Sequence, residues 1–109
     1  MPVNYKVLGQ SNPAATTATT LYTVPSSTQA VISTIAVANT GGSSATYRIA
    51  IRVAGATLAT SQYIAYDTAI TANNSTMMTL GISLGAADVI TVYSSNTSLV
   101  FSAFGTEIS

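Results

Sequence analysis

The 109-residue sequence contains no cysteine, no histidine and no tryptophan. Without cysteine there is neither a disulfide framework nor a thiolate metal site. Without histidine the chain lacks the side chain that most often acts as general acid or base near neutral pH. The three carboxylates, Asp67, Asp88 and Glu107, stand far apart in the sequence, so no paired-carboxylate site is expected. The sequence therefore predicts a protein that is not an enzyme and that binds no cofactor and no metal.

Charge is scarce as well: Asp, Glu, Lys and Arg make up 6% of the chain, against roughly 25% in an ordinary soluble domain. The formal net charge is zero. Copies of such a chain repel one another little. Removing water from a surface of Ser, Thr and Asn also costs less free energy than removing it from a charged surface. We therefore expect a protein that works in lasting contact with other proteins, including copies of itself.

The same scarcity excludes several other partners. Three basic residues are too few to neutralise a run of phosphates, so nucleic acid is not an expected partner. No stretch approaches the ~20 consecutive apolar residues of a membrane-spanning helix. Residues Met1–Lys6 lack the basic and apolar regions of a signal peptide, which predicts synthesis in the cytosol. No phosphate-binding loop or nucleophile motif is found, so no small-molecule substrate is expected.

What the sequence does contain is apolar–polar alternation with a period of two, the pattern of half-buried strands. In Thr46–Val53 the odd-numbered positions are apolar, whereas Arg48 and Arg52 lie on the other face. The chain is predicted to be all-β: a single antiparallel β-sandwich, jelly-roll or immunoglobulin-like, formed by residues 1–109. About eight short strands are expected, near residues 5–8, 21–24, 29–38, 45–53, 58–66, 76–84, 89–93 and 99–108.

Two connections in this pattern carry specific predictions. The polar, glycine-containing segment Asn39–Ser44 is typical of a turn, and we expect it to join Gln29–Ala38 and Ala45–Val53 into a hairpin. The low-complexity stretch Ser11–Thr20 is predicted to be an extended arm or a long loop that lies over a neighbouring molecule.

Six tyrosines are the side chains with the greatest binding potential, because tyrosine combines a large apolar ring with a hydrogen-bonding tip. Two hypotheses remain open for them: contacts between subunits, and stacking on sugars by Tyr63 and Tyr66. The residues predicted to lie at an interface come from the first strand, the arm, the arginine face and the tyrosines. They are Val3, Tyr5, Pro13, Thr16, Arg48, Arg52, Tyr63 and Tyr66.

Several runs, spread over nearly the whole chain, resemble small structural proteins of tailed bacteriophages, especially those of cyanobacteria and marine bacteria. These runs are KVLGQS at 6–11, LYTVP at 21–25, QAVISTI at 29–35, YIAYD at 63–67, LGISL at 80–84, DVITVY at 88–93 and FGTEI at 104–108. They are strand-and-turn patterns without a chemical signature, so the resemblance identifies no binding residues.

The resemblance implies a β-sandwich of the virion, either a capsid cement (decoration) protein or a part of the tail, neck or fibre. The expected partners of a cement protein are the major capsid protein and copies of itself, and we expect a trimer. Such a protein would be assembled in the host cytoplasm, would lie on the capsid surface and would bridge capsid subunits. A carbohydrate-binding module that recognises host glycans is the alternative from a different class.

Overall fold

The computed structural model describes residues 3–109, and the prediction of an all-β sandwich of eight strands is confirmed. Two helical turns in this range, Val53–Gly55 and Thr60–Gln62, have three residues each, and no helix is long enough to cross a membrane. The strands are β1 (Val3–Ser11), β2 (Thr19–Thr23), β3 (Gln29–Asn39), β4 (Ala45–Arg52), β5 (Tyr63–Ile70), β6 (Ser75–Leu84), β7 (Val89–Ser94) and β8 (Leu99–Ile108).

The strands form two four-stranded antiparallel sheets. The first sheet has the order β1-β8-β3-β6 and the second has the order β2-β7-β4-β5. Pairing is nested along the chain, because β1 pairs with β8, β2 with β7, β3 with β6 and β4 with β5. The topology is that of one long antiparallel hairpin folded over into two layers. This is the jelly-roll topology.

The core lies between the inner faces of the two sheets. Most of its fully buried members come from β3, β4, β7 and β8, the strands in the middle of each sheet, and Val24, directly after β2, adds one more. Tyr47 of the second sheet meets Phe101 of the first in an edge-to-face contact, with ring centroids 6.2 Å apart. The largest other side chains with almost no exposure are Ile32, Ile35, Val37, Ile49, Ile90, Val92 and Leu99. Alternation assigned Tyr47 and Ile49 of β4 to the buried face correctly, but Val31 in β3 and Val53 after β4, on the apolar side of their patterns, are exposed.

The predicted hairpin between residues 29–38 and 45–53 is wrong. β3 lies in the first sheet between β8 and β6, and β4 lies in the second sheet between β7 and β5. The segment between them is a corner that crosses from one sheet to the other. The Asn39 side chain stabilises this corner, because its amide donates to the carbonyl oxygens of Ser43 (2.8 Å) and Ile70 (3.3 Å).

The fifth strand begins later than predicted, at Tyr63 rather than near Leu58. The preceding residues form a loop because the Gln62 side chain hydrogen-bonds to it at two points. Its Oε1 accepts the Ala59 N–H at 2.7 Å, and its Nε2 donates to the Thr57 carbonyl at 3.1 Å. These bonds satisfy backbone groups that would otherwise pair in a strand.

The segment predicted as an arm or loop, residues 11–20, contains the end of β1, a loop and the start of β2. The loop lies against its own domain. The Asn12 amide donates to the carbonyl oxygens of Thr97 and Leu99, and the Thr16 N–H donates to the Ser94 carbonyl at 2.8 Å. These three hydrogen bonds anchor the loop to the end of β7, to the turn that follows it and to the start of β8.

Candidate interaction surfaces

Each of the six charged side chains has a partner within the chain. Lys6 pairs with Glu107 (2.9 Å), and Arg48 pairs with Asp67 (2.6 Å). Arg52 donates to the carbonyl oxygens of Gly55 and Ala56, which closes the turn after β4. The carboxylate of Asp88 accepts the backbone N–H groups of Ala54 and Gly85. The charged side chains therefore connect strands and turns within the chain. Within residues 3–109, no three His, Cys, Asp or Glu side chains lie close enough together to form a metal-binding group.

The Lys6–Glu107 pair continues into the sandwich. Glu107 is almost buried, and its Oε2 accepts a 2.5 Å hydrogen bond from the Tyr22 hydroxyl of the opposite sheet. The Lys6 ammonium and, next, the Tyr22 hydroxyl hold the pKa of Glu107 below its usual value. Burial, together with the neighbouring carboxylate, raises the pKa of Tyr22. The two sheets are thus joined at this end by a charge-assisted hydrogen bond.

This network predicts a loss of stability in acid that depends on Glu107. A carboxylate whose pKa is lowered by folding stabilises the native state above its unfolded pKa of about 4.3, and this stabilisation disappears as the pH falls further. Urea unfolding of the wild type is therefore expected to show a lower midpoint at about pH 3 than at about pH 7. Glu107→Gln is expected to reduce that difference.

Asp67→Asn is the matched control, since it makes the same carboxylate-to-amide change in the other ion pair. The Asp67 side chain is 46% exposed, so solvent screens its interaction with Arg48 and its removal is expected to alter the acid dependence less. A Glu107→Gln protein with the full acid sensitivity of the wild type would show that Glu107 does not couple protonation to folding.

The outer face of the first sheet carries a strip of exposed apolar side chains. Register places Val7 opposite Phe104, and it places both Tyr5 and Val31 beside Thr106. Tyr5 is the most exposed of them at 82%. We call the set the apolar strip, and its members are Val3, Tyr5, Val7, Val31 and Phe104. A shallow groove runs along part of it, lined by Tyr5, Val7 and Phe104 of the strip and by Lys6, Ser33, Gly105 and Thr106. None of the five strip residues is charged, and the residues beside them are polar, as at protein-binding sites.

The outer face of the second sheet carries a different surface. The Arg48 guanidinium lies over the rings of both Tyr66 and Tyr93, at 4.3 Å from each centroid. Its Nε and Nη2 donate to the two carboxylate oxygens of Asp67, at 2.6 and 3.2 Å. Tyr63 contacts Tyr66 edge to face, with centroids 4.9 Å apart. We call these five residues the tyrosine–arginine cluster.

A bulge in β5 builds this cluster. Tyr47 pairs with Thr68 and Ile49 pairs with Ala65, so Tyr66 and Asp67 together oppose the single residue Arg48. In a regular strand, neighbouring side chains point to opposite faces. Asp67 instead has a φ of 47°, a left-handed conformation that is uncommon outside glycine. The bulge thereby directs both side chains to Arg48, which is a known use of β-bulges.

The eight residues predicted at an interface divide among four places. Arg48, Tyr63 and Tyr66 meet in the tyrosine–arginine cluster, while Val3 and Tyr5 lie in the apolar strip on the opposite sheet. Pro13 is buried in the loop after β1, Thr16 is exposed in the same loop, and Arg52 is bound to the turn after β4. Their contact with partners stays a prediction. Sequence reasoning missed Val7, Val31, Phe104, Asp67 and Tyr93, whose proximity depends on pairing between distant strands.

No protein-family model and no curated protein matches the chain. Two solved structures contain a chain of similar fold, those of infectious bursal disease virus strains Gt and Gx. The identities are 11% and 13%, and the TM-scores are 0.49 and 0.47. Each alignment covers 97% of the present chain and 30% of the viral one, so this chain spans less than a third of the length of those chains. With TM-scores below 0.5, neither likeness bears on function.

Proposed function

We propose that the chain is a virion structural protein, specifically a capsid cement (decoration) protein that binds the outer capsid lattice and bridges major capsid subunits. The observation that carries the proposal is the uncharged apolar strip on the outer face of the first sheet. Two further features support it. Jelly rolls are a recurrent architecture of viral capsid domains, and every charged side chain is paired within the chain.

The strip suits attachment to a repeated lattice. Its apolar side chains gain free energy when they leave water, at roughly 25 cal/mol per Å². The five strip residues carry no charge, and the neighbouring Lys6 ammonium is already paired with Glu107, so no unpaired charge has to be desolvated. A protein that binds only the assembled lattice stabilises that lattice by mass action, and many equivalent sites multiply the effect. Attachment of this kind is expected to change little with salt, since no ion pair with the partner is involved.

We also propose self-association, as a trimer at positions of three-fold symmetry. A chain of zero net charge does not oppose it. β1 is an edge strand of the first sheet, and its outer side offers backbone groups to a neighbouring copy. Sedimentation equilibrium of the purified protein measures this directly: a mass of three chains is expected, and a monomer at all concentrations would contradict it.

Copy number tests the proposed location. Quantitative mass spectrometry of purified virions of the virus that encodes the chain is expected to find it in a simple ratio to the major capsid protein. A small number of copies per virion would instead support the tail, neck or fibre. Complete absence of the chain from virions would overturn the proposal.

Val7→Asp tests the role of the apolar strip. The substitution places a charge that must be desolvated in the middle of the proposed contact, so virions are expected to retain at least about tenfold less of the variant than of the wild type. Val53→Asp is the matched control, because Val53 is 67% exposed in the turn after β4 and outside the strip. Equal retention of the two variants would exclude the strip as the attachment surface.

A further inference from the structure

We infer that the tyrosine–arginine cluster is a second binding site, on the face opposite the apolar strip, and that its ligand is a neutral carbohydrate. The inference goes beyond the proposed function, since it concerns the second sheet and does not depend on where the protein is located in a virion. Three properties of the cluster support the inference. They are its charge balance, its exposed hydrogen-bonding and aromatic groups, and the strained backbone of the bulge that forms the cluster.

Charge balance selects a neutral ligand. The guanidinium of Arg48 and the carboxylate of Asp67 are joined by two hydrogen bonds, so the cluster as a whole carries no net charge. A phosphate or sulfate would have to displace Asp67 from Arg48, and a cation would have to displace Arg48 from both tyrosine rings. An uncharged ligand makes contacts without breaking either interaction.

The exposed groups of the cluster match those of a sugar. Each carboxylate oxygen of Asp67 accepts one hydrogen bond from Arg48 and retains acceptor capacity, and the side chain is 46% exposed. Two such oxygens can accept hydrogen bonds from a pair of neighbouring sugar hydroxyls. Tyr66 is 55% exposed, which leaves aromatic surface for the C–H face of a sugar ring. Arg48 and Tyr63 hold the Tyr66 ring in place, so little side-chain freedom remains to be lost on binding.

The backbone strain at Asp67 is not explained by the stability of the ion pair. A non-glycine residue in the left-handed region costs free energy, and an exposed ion pair returns little. Strained residues of this type concentrate at binding sites, where the strain positions a side chain. Here the bulge brings Tyr66 and Asp67 to the same face, so that an aromatic ring and a carboxylate are presented side by side.

The test is a titration of the ¹⁵N-labelled full chain with three sugars in turn: methyl α-glucoside, methyl α-mannoside and methyl β-galactoside. At least one is expected to shift the backbone amide signals of Tyr66, Asp67 and Tyr93 in a saturable manner, without shifts in the apolar strip. The shifts are expected to persist when the ionic strength is raised from ~0.05 to ~0.5 M, because the ligand is uncharged. Saturable binding that salt abolishes would contradict a neutral ligand.

Two variants locate the site. Tyr66→Ala removes the exposed ring and is expected to weaken the affinity at least about tenfold, a difference of about 1.4 kcal/mol. Asp67→Asn keeps the size of the side chain but replaces one acceptor by a donor, and a loss of similar size is expected. Tyr5→Ala is the matched control, since it removes a tyrosine that is even more exposed (82%) from the opposite sheet and is expected to leave binding unchanged.

The outcomes separate this site from the proposed function. Failure of all three sugars to shift any signal of the wild-type cluster would overturn the carbohydrate site and would leave the copy number in virions unaffected. Binding that Tyr5→Ala abolishes and Tyr66→Ala does not would assign the sugar to the apolar strip and would likewise overturn the inference.

Discussion

Replacing Phe101 with alanine is expected to lower the free energy of unfolding by about 3–5 kcal/mol, a large part of the stability of a domain of this size. Phe101 has no exposed surface and meets the Tyr47 ring edge to face at the centre of the core. Alanine would leave a cavity between the two sheets. The sheets cannot move together to fill it, because the other core side chains and the hydrogen bonds within each sheet keep the strands in place. Urea unfolding followed by circular dichroism measures the change.

Phe104→Ala is the matched control for Phe101→Ala. It makes the same substitution three residues later in β8, on the outer face, where the side chain is 36% exposed and belongs to the apolar strip. A clearly smaller loss is expected, because more than a third of the Phe104 surface stays in water after folding and its removal leaves no enclosed cavity. Equal losses for the two variants would show that the side chains of β8 are not divided between core and surface as described.

Gly105→Ala is expected to cost about 3 kcal/mol, or to prevent folding of the first sheet. A Cβ atom at this position would lie 2.0 Å from the backbone oxygen of Val31, in the neighbouring strand β3. That atom belongs to a ladder and cannot rotate away, so β3 and β8 would have to separate. The close approach occurs beside the bulge between Ile32 and Thr34, which explains why glycine is needed there.

Gly81→Ala tests whether the effect at Gly105 is steric. Gly81 also lies in a strand of the first sheet, but a Cβ atom there would meet nothing within 4 Å. The substitution is expected to stabilise the protein by about 0.5–1 kcal/mol, since alanine loses less conformational freedom than glycine on folding. The thermal midpoints of the two variants are therefore expected to move in opposite directions. A similar loss for both would indicate a general intolerance of the first sheet to alanine.

The two outer faces of the sandwich differ in chemistry, and the two proposed sites are suited to different kinds of ligand. The apolar strip on the first sheet is suited to a permanent protein contact, because it is uncharged and made of apolar side chains. The tyrosine–arginine cluster on the second sheet is polar, exposed and held in place by two stacking contacts and an ion pair. A protein attached by the first face would present the second to solvent, so both sites can be occupied together.

The sequence by itself determined the class of fold and part of the division between buried and exposed residues. Alternation in strands such as Ala45–Arg52 places Tyr47 and Ile49 in the core, because a period of two is a property of the extended backbone and needs no knowledge of the partner strand. The scarcity of charge was likewise visible in the composition, and the prediction that the protein works in contact with others rests on it.

Tertiary structure decided which strands pair and which surface residues meet. The turn chemistry of Asn39–Ser44 is the same for a hairpin and for a corner between sheets, and the corner is held by a contact that the local sequence does not show, the hydrogen bond from the Asn39 amide to the Ile70 carbonyl. Val3 pairs with Ile108, and Tyr93 reaches Arg48 from a strand that is distant in sequence. Local preferences carry no information about such pairings, because these are set by how all eight strands together bury one core.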